Sequence, residues 1–114
     1  MQTHELKTDP EVFQASWDHR KPYEIRYNDR QFMPGDKLIL REIVYTGAEM
    51  RAGRPLKYTG RVILATVTNS LIGPVYGLLP NWCILSVKLD ARILDGVVIA
   101  EEHSCGGIAC CSGA

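Results

Sequence analysis

A lysine, a glutamate and an arginine stand close together in the run Arg20-Lys21-Pro22-Tyr23-Glu24-Ile25-Arg26. Glu24 and Arg26 are two apart on a stretch that alternates like a strand, so they project to the same side. Two readings follow. Either they form a surface ion pair worth about 0–1 kcal/mol, or they converge on a ligand. An arginine beside a cleft grips a phosphate bidentately or stacks on a base. A carboxylate accepts hydrogen bonds from an exocyclic amine such as that of cytosine. Lys21 supplies a point charge for phosphate, and Lys7 and Arg30 widen the basic rim. Asn28-Asp29-Arg30 has two readings, plain turn chemistry and the edge of a ligand site. Trp17, Tyr23, Tyr27, Tyr76 and Trp82 are available as platforms, and stacking contributes about 1–3 kcal/mol per base.

The same lysine and glutamate can do acid–base chemistry if burial moves either pKa toward neutrality, with Tyr23 or His4 beside them. No Ser-His or Cys-His nucleophile pattern stands out, and nothing matches a Walker loop or a dinucleotide fingerprint. A lone histidine such as His4 on an edge strand reads first as structural. Cys83, inside an apolar run, reads as an inert buried thiol. His103, Cys105, Cys110 and Cys111 offer soft metal ligands, but adjacent cysteines in one short loop are unlike a zinc knuckle. The expectation there is a mobile Gly/Cys tail with no metal, and no cofactor is expected elsewhere.

The elements that must position these groups follow from the pattern. Residues 3–7 read as a first strand. Thr8-Asp9-Pro10-Glu11 starts a helix, with Thr8 or Asp9 capping and proline in the first turn; Val12, Phe13 and Trp17 share a face, and the helix ends near His19 because Pro22 follows. Tyr23 to Asn28 alternates, which puts Tyr23, Ile25 and Tyr27 in the core and Glu24, Arg26 and Asn28 in solvent or a cleft. Lys37–Tyr45, Arg61–Thr68, Trp82–Leu89 and, after the Asp95-Gly96 turn, Val97–Ala100 read as strands, with Arg61–Thr68 apolar on both faces and therefore central. The stretches 46–57 and 69–81 read as loops. One helix among five or six short strands predicts an α+β domain on a small curled sheet or β-barrel.

The chain has 114 residues and a mass of 12.7 kDa, enough for one core. Thirteen basic and thirteen acidic side chains cancel, which excludes a histone-like polycation but not a local basic patch. No apolar run is long enough to span a bilayer, and the start lacks the apolar stretch of a signal peptide. A cytoplasmic protein with reduced thiols and no membrane partner is the expectation.

The Lys-x-x-Glu-x-Arg run, placed just after a short helix, resembles the signature of the ASCH domains of the PUA-like superfamily. His4-Glu5-Leu6-Lys7, Tyr27-Asn28-Asp29-Arg30, Pro34-Gly35-Asp36, Tyr58-Thr59-Gly60-Arg61 and the strand from Trp82 to Lys88 extend the likeness to an uncharacterised phage and bacterial subfamily. It covers residues 3–89 and leaves 90–114 as a C-terminal extension, so the expected domains are 1–89 and 90–114. The resemblance implies a PUA-like barrel with one main N-terminal helix that binds RNA, a nucleotide or a modified nucleoside through Lys7, Lys21, Glu24, Arg26, Asn28, Asp29 and Arg30. The runner-up is a hydrolase of a modified nucleoside or RNA, with Lys21 and Glu24 catalytic; ASCH enzymes that deacylate N-acetylated cytidine carry a threonine where this chain has Glu24. A third expectation is a phage-type protein-interaction module contacting a host protein through the 46–57 and 69–81 loops.

Overall fold

Alternation in Thr3-His4-Glu5-Leu6-Lys7-Thr8 produces a strand, β1 (Thr3–Thr8), with His4, Leu6 and Thr8 buried and the residues between them exposed. The computed structural model describes residues 1–101; the candidate ligands His103, Cys105, Cys110 and Cys111 lie outside them. Pro10 opens helix α1 (Pro10–Trp17), with Glu11 in its positive first turn. The helix stops at Trp17, two residues short of the expected end. His19 takes a positive φ of 61°, and the amides of Arg20 and Lys21 both return to the Ala15 carbonyl, which turns the chain toward the next strand.

The strands that follow are β2 (Tyr23–Tyr27), β3 (Lys37–Ile43), β4 (Tyr58–Ile72), β5 (Trp82–Leu94) and β6 (Val97–Glu101). Their order is β1-β3-β4-β5-β2, with β6 also on β5. β1 runs parallel to β3 and every other pairing is antiparallel. The apolar run RVILATVT lies at the centre, as expected, but β4 and β5 extend well beyond the stretches read as strands. Register shifts at Leu64/Ala65 and Val67/Asn69 bend this long pair, and the sheet curls into a half-barrel. Asp95 and Gly96, both at positive φ, make the two-residue turn expected between β5 and β6.

The 46–57 stretch, expected to be a loop, contains a second helix, α2 (Gly47–Arg51). Thr46 accepts from the Glu49 amide while Glu49 accepts from the Thr46 amide, a reciprocal cap that satisfies two orphan donors. Asp9 does not cap its own helix with its side chain. Its carboxylate accepts from the Gly47 amide at 3.0 Å and so ties the start of α1 to that of α2.

The core gathers Leu6, Phe13, Leu38, Leu40, Ile63 and Leu85 inside the curl. Phe13 is fully buried, a burial worth about 1.5–3 kcal/mol. Val12, expected on the same face, is 40% exposed. Trp17 packs against the core between two guanidinium groups, Arg61 at 4.9 Å and Arg92 at 5.6 Å from its ring.

The faces of β2 are reversed from expectation. Tyr23, Ile25 and Tyr27 are 42%, 51% and 48% exposed, whereas Glu24 is 1% exposed. The cause lies in the register. Glu24 faces Leu85 and Arg26 faces Cys83, and both β5 residues are fully buried. The apolar strand β5 therefore dictates which side of β2 turns inward, and ion pairing compensates the buried carboxylate.

Candidate functional site

Because the sheet curls without closing, the two strands that end its main order, β1 and β2, face each other across a seam. An edge strand leaves backbone groups unpaired. Here arginine side chains meet those of β1. Arg26 Nη1 donates to the Lys7 carbonyl at 3.1 Å and Nη2 to Thr8 Oγ1 at 3.2 Å. Arg30 Nη1 donates to the Glu5 carbonyl at 2.7 Å. The basic residues of β2 and its following turn thus lace the half-barrel shut.

Glu24 is the centre of this lacing. Its Oε1 accepts from Arg26 Nε at 3.1 Å and Nη2 at 2.9 Å, and its Oε2 accepts from Lys21 Nζ at 2.6 Å. Lys21 Nζ also donates to the Tyr23 carbonyl at 2.7 Å. Lys21, Glu24 and Arg26 meet around one hollow of about 530 Å3, floored by α1 residues Val12 and Ala15 and flanked by Tyr23 and Ile25. Glu24 holds its two cations in place, and its buried carboxylate faces them rather than open solvent. Lys21 keeps one N–H proton beyond its two bonds, and Arg26 keeps one of its five.

A second hollow of about 450 Å3 lies further along the seam. It shares Lys7 and Arg26 with the first and adds Asp29, Arg30, Arg41 and Tyr58. Arg41 bonds Glu5 at 2.9 Å and lies 3.7 Å from the Tyr58 ring centre. Of the expected site residues, Lys7, Lys21, Glu24 and Arg26 line the first hollow, while Lys7, Arg26, Asp29 and Arg30 line the second. Asn28 lines neither; its Oδ1 accepts from the Phe32 amide at 3.0 Å, which is the turn chemistry. Thr8, Glu5, Arg41 and Tyr58 were missed. Alternation in β1 marks which residues face outward, but only its parallel pairing with β3 brings Arg41 beside Glu5.

Two other buried polar groups serve the scaffold. His4 is buried, packs edge-on to Phe32 and bonds Asp36 Oδ2 at 2.9 Å. That bond, helped by the Gln2 and Met33 amides, outweighs burial and holds the Asp36 carboxyl below the usual range. Burial pushes Glu42 up, but hydrogen bonds from Arg61 and Thr59 together with the Arg61 charge leave it lowered. Cys83 is fully buried and free, and burial raises its thiol, which suits an unreactive side chain. Among the described residues no group of three or more His, Cys, Asp or Glu is placed to hold a metal, and no helix is long and apolar enough to cross a membrane.

Comparison with curated proteins finds no match. Residues 3–87, a span from β1 into β5 that includes both hollows, match the family model described as Domain of unknown function (DUF3850), and the chain belongs to that family.

Proposed function

We propose that this domain binds RNA, a nucleotide or a modified nucleoside, with the base or nucleoside seated in the hollow beside α1, and that its half-barrel is of the PUA-like (ASCH) type. The observation that carries the reading is the meeting of Lys21, Glu24 and Arg26 around that one hollow. Its volume is on the scale of small-molecule pockets. Val12, Ala15 and Ile25 give it apolar walls, Tyr23 gives it an aromatic one, and Lys21 offers a remaining donor. Cations and carboxylates balance in its lining: Lys7, Lys21 and Arg26 against Asp9, Glu11 and Glu24. Such a lining suits a polar but uncharged group.

The test is mass spectrometry of small molecules and nucleic acid that co-purify with the native protein, followed by binding of the identified species. Lys21→Ala is expected to weaken that binding at least tenfold while the fold survives. A protein that carries no nucleoside, nucleotide or RNA, and binds none when offered, defeats the reading.

The 2.6 Å contact between Lys21 Nζ and Glu24 Oε2 favours a second reading, a hydrolase acting on the same class of ligand with this pair as acid and base. Turnover of the bound species that stops in Glu24→Gln, with binding retained, selects it; an intact ligand after long incubation rejects it.

A further inference from the structure

The two hollows differ in charge. The one beside α1 is balanced, but the seam hollow has Lys7, Arg26, Arg30 and Arg41 against only Glu5 and Asp29. Its donors are also less committed. Lys7 is exposed and its ammonium has no bonded partner among the described residues. Arg30 is exposed and spends one N–H on the Glu5 carbonyl, which leaves four of its five free. Arg41 lies over the Tyr58 ring, 3.7 Å from its centre, and Tyr27 lines the same hollow.

Both hollows open beside the same strand. Tyr23 and Tyr27 alternate outward from β2 at one hollow and the other, four residues or roughly 13 Å apart at about 3.3 Å per residue. Arg26 lies between them and lines both. A ligand with an uncharged end and an anionic end fits this division, and one long enough to leave the first hollow must cross Arg26 to reach the second.

We infer that the seam hollow is a phosphate subsite and that the ligand is a single-stranded polynucleotide, with a base beside α1 and its neighbouring phosphates on Lys7 and Arg30. This rests on the proposed base site in the first hollow. It goes further by fixing the length and the polyanionic character of the ligand. A free nucleoside fills the first hollow and leaves the second without an occupant.

The experiment measures binding of the four ribonucleosides and their homotetramers to the full chain at two salt concentrations. At least one tetramer is expected to bind about tenfold or more tighter than its nucleoside, with the gain shrinking as salt rises. Arg30→Gln should remove much of the gain while nucleoside affinity stays unchanged, because Arg30 lines the seam hollow alone. Lys7 borders both hollows, so in Lys7→Ala the ratio of tetramer to nucleoside affinity should shrink, whatever its nucleoside affinity becomes. Lys7→Ala changes an exposed side chain without a bonded partner, so it keeps the test decisive if Arg30→Gln loosens the fold. Equal affinity for nucleoside and tetramer, or a gain that survives both changes, overturns the phosphate subsite and leaves the base site standing. Salt-sensitive tetramer binding that both changes abolish, without nucleoside binding, keeps the subsite and removes the base site. No binding of either probe overturns both.

Discussion

Glu24 is buried against two cations, and that pairing sets what its removal does. In Glu24→Ala, Lys21 and Arg26 lose their shared counter-charge while Glu24's inward position becomes a small void. Breaking a fully dry pair costs roughly 3–5 kcal/mol. Both cations are partly exposed here, so water recovers some of that, and a loss of about 2–3 kcal/mol is expected in urea unfolding. A loss below about 0.5 kcal/mol contradicts the central role given to this carboxylate. Asp36 makes a separate, pH-dependent contribution. Its native pKa is lowered, first by the His4 hydrogen bond, from an unfolded value of about 3.9. The stability it adds is therefore complete above that value and drains as pH falls through the lower native one. Stability measured between about pH 5 and 2 should fall more steeply in the natural protein than in Asp36→Asn; parallel curves contradict the assignment.

At the scale of elements, the seam is the least expected part of the structure. Two edge strands are joined by guanidinium donors in place of a backbone ladder. Arg26→Met keeps much of the length but none of the donors. It leaves the Lys7 carbonyl and Thr8 hydroxyl without this partner and removes one cation from Glu24. Amide exchange in β1 is expected to speed up in Arg26→Met well beyond any change in β4, because across the seam β1 then keeps only the Arg30 bond to the Glu5 carbonyl beside its ladder to β3. Uniform acceleration across the sheet would mean that the arginine supports the whole fold and not the seam. Much of the strand order was legible: residues 3–7 read as the first strand, β-branched apolar density placed β4 at the centre, and Asp-Gly placed the last turn. The faces of β2 were not. Three large apolar residues against two charged ones predict the opposite burial, and only pairing with Cys83 and Leu85 of β5 reverses it. Spacing put Glu24 and Arg26 on one side but left an ion pair and a ligand cleft as alternatives; the structure shows the ion pair, extended to Lys21, beside a hollow. The second hollow was not legible, since Arg41 and Tyr58 reach it through long-range pairing of β1, β3 and β4. Helix α2 was hidden for a different reason: its Thr-x-x-Glu cap precedes no apolar run, and none of its residues is buried.

For the whole molecule, the question is where the cooperative unit ends. The motif likeness and the family match both stop inside β5, at residues 89 and 87, yet the strand runs on to Leu94. Its last residues are the partners of the central strand: Ala91 pairs with Leu64, Arg92 with Ile63, Ile93 with Val62 and Leu94 with Arg61. Ala91 is buried, Arg92 donates to the Trp17 carbonyl at 3.3 Å, and β6 pairs with the same segment. A chain cut after Leu89 strips these partners from the first half of β4 and exposes the apolar edge beside Ile63. It also removes one of the two guanidinium groups that hold Trp17, and with it support for the helix that floors the first hollow. Against a total stability of about 5–15 kcal/mol for a domain of this size, losing a ladder at the central strand is expected to consume most or all of the margin. Such a chain should lose cooperative thermal unfolding and near-ultraviolet circular dichroism from its aromatic residues. A cut chain that unfolds as sharply as the full one, at a midpoint within a few degrees of it, would place the end of the folding unit at Leu89 and make the distal half of β5 an appendage.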